Sequence, residues 1–382
     1  MCPRAGVSPG GAVAAVPCAA SLLAPDPILS ANVYCSGRLC EVIHRVARPF
    51  LREARRRVPE EEIRVWVMRY AKGGDHLKVR LHGPEPAEPF LRDLLFSLQA
   101  DYFAGLNAAG PAAPQRSRAL AAPIDREDCE VSDRPDRTFL WTAYRRSHVS
   151  LGYRPYLGDD VYVTLLTRCL SRSTEIVLHR LTPSPTGVYP HRGRQNALLK
   201  GVIAGLSALG FPAEERTLYL LYHRDCLLRH VRKQMLIDRK ATSPEGLTDR
   251  LLERFWKEIE SGRSGFEPLG ETASRLWTAG VSPVWDEDLA AWREAVGELA
   301  GYVMTVCRDL AHRIDPFAAE PIFPPIFKAF HGMANQVGLT PLDEAFSYHL
   351  LLALTADGDT ARQPVQMRPD LSRAGLGLEP SS

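Results

Sequence analysis

Between Arg64 and His82 the chain carries two runs whose natural resolution is to pair with each other. Val65 to Arg69 and His76 to Leu81 are β-branched, aromatic or alternating in polarity, and Gly73-Gly74 between them is a hairpin signal. Closing an antiparallel pair at Gly73-Gly74 sets Arg69 opposite Lys78, on one sheet face with His76 and Arg80, and turns Leu77, Val79 and Leu81 toward the core. Like charges facing one another across strands are destabilising. This face therefore reads either as a platform for something anionic or carbonyl-rich, or as a solvated sheet face.

Around this hairpin the pattern is mostly helical. Glu41 to Arg57 sets Val42, Val46, Phe50 and Leu51 on one side and Arg52, Arg55, Arg56 and Arg57 on the other. The arginine run reads as a solvated helix end suited to the negative pole, or as a surface that steers an acidic peptide. Helical spacing recurs over 89–106, 159–181, 195–209, 214–236, 244–260 and 286–314, with turn signals at 182–193 and 261–270 and a strand at 138–144. Residues 108–135 lack periodicity and read as a long loop. The predicted class is α+β, a small and mostly antiparallel sheet packed with many helices.

At 382 residues, 45% hydrophobic and 24% charged, the chain can bury one large core or two smaller ones, and a net charge of +2 implies no bulk polyanion binding. Its eight cysteines are dispersed without Cys-x-x-Cys pairs or nearby histidines, which points to reduced cytoplasmic thiols and against a structural zinc. No run of 18 apolar residues suggests a membrane span. Phosphate-loop, dinucleotide, zinc-protease and serine-hydrolase motifs are absent. The cluster Arg192, Arg194 and Lys200 reads as ordinary charge at a helix start or as a phosphate contact.

The connection after the 138–144 strand gathers donors and proton carriers in Tyr144, Arg145, Arg146, Ser147 and His148, on the kind of scaffold-held loop where such groups act. Asp159 and Asp160 read as a helix cap and first-turn charge. In the run from His223 to His230, Arg224, Asp225 and Arg229 read as surface pairs. His331, titrating near neutrality, can give and accept a proton or can be a satisfied structural histidine.

Three segments resemble one known family. Arg69, Tyr70, Gly73, Gly74, His76, Leu77 and Arg80 resemble the opening motif of the C-terminal elimination domain of lantibiotic-type dehydratases and its stand-alone relatives in thiopeptide biosynthesis, except that Asp75 stands where a proline is usual. The segment from His331 through Asn335 to Glu344 is similar to the family's His-x-x-x-Asn-Arg-Leu-Gly segment, and Ala31 to Tyr34 followed by a long helix is similar to its N-terminal strand and helix. The resemblance implies a catalytic domain over 29–356 with an elimination-domain-like fold. The segment before it, rich in alanine, proline and glycine, reads as disordered over 1–28, and 357–382 reads as a disordered tail.

Two chemistries occur within this resemblance. Elimination members remove glutamate from glutamylated serine and carry Tyr-x-Pro-Glu and Arg-Tyr-Gly-Gly in mid-chain, then His-Met-His-x-Asn-Arg near the end. This chain lacks the first pattern, and at the second it has Met333 in place of a histidine and Gln336 in place of an arginine. A thioether relays no proton and an amide cannot pair with a carboxylate as a cation does. The losses are similar to those of thiopeptide pyridine synthases. That likeness implies an enzyme without cofactor or metal that joins two dehydroalanines of a modified, leader-bearing precursor peptide by a formal [4+2] cycloaddition, losing water and the leader to form a pyridine-centred macrocycle. It implies Tyr144, Ser147, His148 and His331 as catalytic candidates. Substrate-binding candidates are Arg69, His76, Lys78, Arg80, Arg145, Arg146, Asn335 and Gln336. Partners expected on the same ground are the precursor peptide and other enzymes of its pathway, with no nucleic acid and no membrane, in the cytoplasm. The alternatives are the glutamate-elimination subunit of a split dehydratase and a non-catalytic peptide-binding relative.

Overall fold

The computed structural model describes residues 28–35, 37–59, 63–70, 75–83, 85–108, 139–144, 159–184, 188–237, 246–279, 286–311 and 323–356. Four strands, β1 (Ile28–Tyr34), β2 (Arg64–Tyr70), β3 (His76–His82) and β4 (Phe139–Tyr144), form an antiparallel sheet in the order β2-β3-β1-β4. Between the first two strands run α1 (Leu39–Val42), a π-helical turn (Ile43–Ala47) and α2 (Arg48–Arg57) without a break. The turn has a local cause: Pro49 offers no N–H to the carbonyl of Arg45, and the Arg48 N–H bonds back to Ile43 instead. The remaining helices are α3 (Glu88–Ala108), α4 (Asp159–Arg180), α5 (His191–Ala208), α6 (Ala213–Ile237), α7 (Leu247–Ala279), α8 (Glu287–Ala311), α9 (Phe323–Val337) and α10 (Pro341–Thr355). The architecture is α+β, as the sequence pattern predicts.

The hairpin forms in a different register from the one its glycines suggest. Arg69 pairs with Leu77 and Tyr70 with His76, leaving residues 71–75 as the connection. This one-residue shift moves Arg69 to the opposite face from His76, Lys78 and Arg80, because side chains alternate along a strand. The hydrophobic pattern explains the choice. In the observed register Val65 and Val67 share a face with Leu77, Val79 and Leu81, and with Ala31 and Val33 of β1, all buried.

Helix α4 packs on β2, and α9 packs on both α4 and β2. These two helices also close the outer edge of β2, where Thr174 Oγ1 accepts from the Val67 N–H at 3.3 Å and Asn335 engages Arg69. Covering an edge strand in this way removes a template for pairing with another chain. Helices α5 and α8 pack on α4 and α9, and α6, α7 and α10 form a further layer. Close approach depends on small residues: a Cβ at Gly201 of α5 would collide with the Met333 side chain, and one at Gly332 with Leu170.

Two further expectations are corrected. Helix α7 runs without a break through 261–270, despite Gly262, Gly265, Pro268 and Gly270, because burial of its apolar side outweighs the low helix propensity of those residues. Ala273 is buried and Gly270 lies close against Leu354 of α10. Arg224 is not a surface residue: it is fully buried, bonded from Nε to Asp225 at 2.7 Å and from Nη1 to His349 Nδ1 at 3.4 Å.

Candidate functional site

The face of the sheet opposite Val67, Leu77 and Val79 carries the cations. Cross-strand rows there run Tyr34, His76, Tyr70; then Asn32, Lys78, Met68; then Ser30, Arg80, Trp66. This is not a solvated surface. Lys78 and Arg80 are each 5% exposed and His76 2%, and lysine and arginine are rarely so enclosed without partners. Tyr70 organises them. The Lys78 ammonium sits 3.9 Å from the centre of its ring, Arg80 Nη2 donates to its hydroxyl at 3.2 Å, and His76 stacks on it at 5.5 Å while also facing Tyr34 at 4.6 Å. The ring face meets the ammonium and the hydroxyl oxygen accepts from the guanidinium, so one phenol gives both enclosed cations a partner. Tyr70 is thus the contact that Lys78, Arg80 and His76 share, and the sequence motif contained it without marking.

Arg69 does different work. Its backbone N–H donates to Asn335 Oδ1 at 2.7 Å and its carbonyl accepts from Asn335 Nδ2 at 3.0 Å, so one side-chain amide mimics a neighbouring strand. Its Nε donates to the Gln336 carbonyl at 3.0 Å, Nη2 reaches Cys40 Sγ at 3.3 Å, and the guanidinium lies 5.6 Å from the Tyr189 ring centre. Arg69 and Asn335 therefore clamp the end of β2 to the end of α9, next to Tyr70. Arg194, one member of the basic cluster at the start of α5, supports the same end by donating to the Gly338 carbonyl. Gln336 is fully buried, bonded to the Leu170 carbonyl and to Ser173 Oγ. Met333 is fully buried against Gly201.

His331 lies one turn before Asn335 on α9. Its Nδ1 is 2.7 Å from Glu344 Oε2 on α10, and its ring stacks on Phe327 at 5.6 Å. Glu344 is 1% exposed and its second oxygen has no partner among the described residues. A histidine held by a buried carboxylate has a fixed ring orientation. Around the pair stand His223, His230 and Tyr348. Burial holds His223 neutral, with His331 adding to the effect, and the same two causes lower His230, with Lys233 contributing. Burial and Glu344 push the Tyr348 phenol up. Thr340-Pro341-Leu342-Asp343 forms a capping box that starts α10, which places Glu344 in the first turn of that helix.

Of the residues expected from sequence, the structure brings His76, Lys78 and Arg80 together and puts Arg69, Asn335 and Gln336 in a separate clamp, with His331 one turn away. Tyr144 is the last residue of β4, in register with Ile28 and through it with His82. Arg145, Arg146, Ser147 and His148 lie outside the described residues. No group of three or more acidic, histidine or cysteine ligands able to hold a metal occurs among the described residues.

Fold and site together define an antiparallel α+β domain with an enclosed cationic sheet face and a histidine–carboxylate pair between its last two helices. The chain belongs to the family of lantibiotic biosynthesis dehydratase C-terminal domains, whose pattern matches residues 29–355. Its fold is similar to that of the pyridine synthase TbtD from thiomuracin biosynthesis, with a TM-score of 0.56 and 16% identity over 86% of this chain and 97% of the other. No curated protein sequence matches. Among the described residues no helix is long and apolar enough to cross a membrane.

Proposed function

We propose that this protein is a pyridine synthase acting on a modified precursor peptide. The observation that carries this reading is the inward packing of Met333 and Gln336. Where the elimination pattern has a histidine and an arginine, this helix has a thioether fitted against Gly201 and an amide bonded to Leu170 and Ser173. An arginine at 336 would bury its charge against α4, so glutamate release has lost two of its groups.

Cycloaddition makes smaller demands. One dehydroalanine, with the imidic tautomer of the amide before it, supplies the four-atom component and a second dehydroalanine the two-atom component. The adduct then loses its hydroxyl with a ring proton as water, and the leader as a carboxamide that takes a second ring proton. No oxidant enters the balance. Holding two distant residues together can itself supply up to about 7–11 kcal/mol. In this reading Lys78 and Arg80 hold peptide carbonyls or carboxylates, and Tyr70 donates toward the reacting amide oxygen. His331, oriented by Glu344, moves protons in aromatisation, with Tyr144 at the end of β4 and Ser147 and His148 beyond it in the chain as further proton carriers.

The test is incubation with a dehydrated, azole-containing precursor peptide. The expected product has lost water and leader and absorbs as a pyridine. A glutamylated serine peptide in a parallel arm separates the alternatives: release of glutamate there, with no change in the dehydrated peptide, assigns the protein to elimination. No change in either arm removes the catalytic reading.

A further inference from the structure

The geometry points to a docking surface for an acidic helical peptide on the outer side of α1, the π-helical turn and α2. Arg45, Arg48, Arg52 and Arg56 recur there at i, i+3, i+7 and i+11, and all four are exposed. They form a single row about 17 Å long. Arg55, which would widen the row, turns inward to Glu175. No carboxylate among the described residues rewards the first three arginines of this row. Arg45, Arg48 and Arg52 have no carboxylate partner among the described residues, while Glu41 is engaged by Arg38, and Glu53 by Arg56 and Arg57. Arg45 with Arg48, Arg48 with Arg52, and Arg52 with Arg56 each set like charges one turn apart, which weakens a helix. The opposite side of the same segment is tightly specified, with Ile43, Val46, Phe50 and Ala54 fully buried. The segment therefore stays helical because of the core and carries its arginines at a cost.

The form of the row selects the partner. Arginine forks donate to carboxylates in a bidentate manner, and a row with one arginine per turn matches carboxylates recurring once per turn on a facing helix. Glu41 and Glu53 flank the row, and the chain as a whole carries only +2. Both features disfavour the broad phosphate surface of a nucleic acid or a membrane. The inference stands apart from the chemistry proposed above, because it is read by binding alone.

The experiment uses the full chain and a fluorescein-labelled alanine-based helical peptide with glutamates at i, i+4, i+7 and i+11, followed by anisotropy. Binding is expected to saturate at about 50 mM salt and to weaken strongly at about 500 mM. R48E/R52E is expected to lose about tenfold or more in affinity, whereas R254E, an exposed arginine on α7, keeps it. Melting curves confirm that both variants are folded. The proposal is overturned if no saturable binding occurs, if a glutamine version of the peptide binds equally well, or if R254E loses as much as R48E/R52E. Tighter, row-dependent binding of a single-stranded oligonucleotide or of anionic vesicles also overturns it.

Discussion

Arg80 and Glu344 show how much depends on the company a side chain keeps. Arg80 is nearly enclosed and hydrogen-bonded to Tyr70, so whatever it holds is held in a poorly hydrated place. Arg80→Ala is expected to weaken peptide affinity by about 1.5–3 kcal/mol, the range for a charged hydrogen bond. A titration with labelled precursor peptide checks this, and unchanged affinity removes the role. Glu344 acts through His331. Glu344→Gln keeps the shape and the hydrogen bond but removes the buried carboxylate, so aromatisation of the adduct should slow in a variant that still folds. A merely structural Glu344 would alter stability and leave that rate unchanged. His331→Phe tests the partner directly: a folded variant that aromatises its adduct at the wild-type rate would make catalysis a matter of positioning alone.

At the scale of elements, α9 is the part that joins everything. Its one face supplies Met333 to the contact with α5, and its C-terminal end supplies Asn335 to β2. The close approach at Gly201 is specific, since Trp292 also donates to the Gly201 carbonyl at 2.8 Å. Gly201→Ala should destabilise the protein by about 1–3 kcal/mol through overpacking, despite the better helix propensity of alanine. Adding Met333→Ala should recover part of the loss, because the shorter side chain makes room for the new Cβ. Chemical denaturation of both single variants and the double variant measures the coupling; strict additivity would mean that the two positions do not meet as described.

Across the whole molecule, buried histidines set the response to acid. His349 is fully buried and its ionisation is held down to about 3, by burial first and by Arg224 second, while His44 is held to about 4 by burial, with Arg48 adding to the effect. His223, at 1% exposure, is lowered as well. These groups stay neutral in the fold but take up protons when unfolded, so their contribution is fully present above the unfolded value of about 6.5 and falls as pH drops below it. For each fully buried histidine the loss approaches about 1.4 kcal/mol per pH unit. Urea unfolding at neutral and mildly acidic pH should show this slope. His223→Phe, which keeps a ring stacked on Phe327, should make it shallower. An unchanged slope in that variant would mean that His223 protonates within the fold.

The sequence by itself settled the elements that repeat a strong period. The α+β class, the hairpin strands, most helices and the gathering of His76, Lys78 and Arg80 on one face follow from spacing two and spacing 3.6, which are properties of local backbone geometry. It did not settle register. Gly73-Gly74 signalled a tight turn, but burial of Val65 and Val67 with Leu77, Val79 and Leu81 fixed the pairing one residue away and moved Arg69 to the other face. Nor did it reveal that Arg224 is buried, that α7 continues past Pro268, or that Glu344 meets His331. Each of these depends on a partner distant in sequence, and the free energy of such contacts exists only once two elements have packed. Local pattern decides what each segment can form; tertiary burial decides which side of it matters.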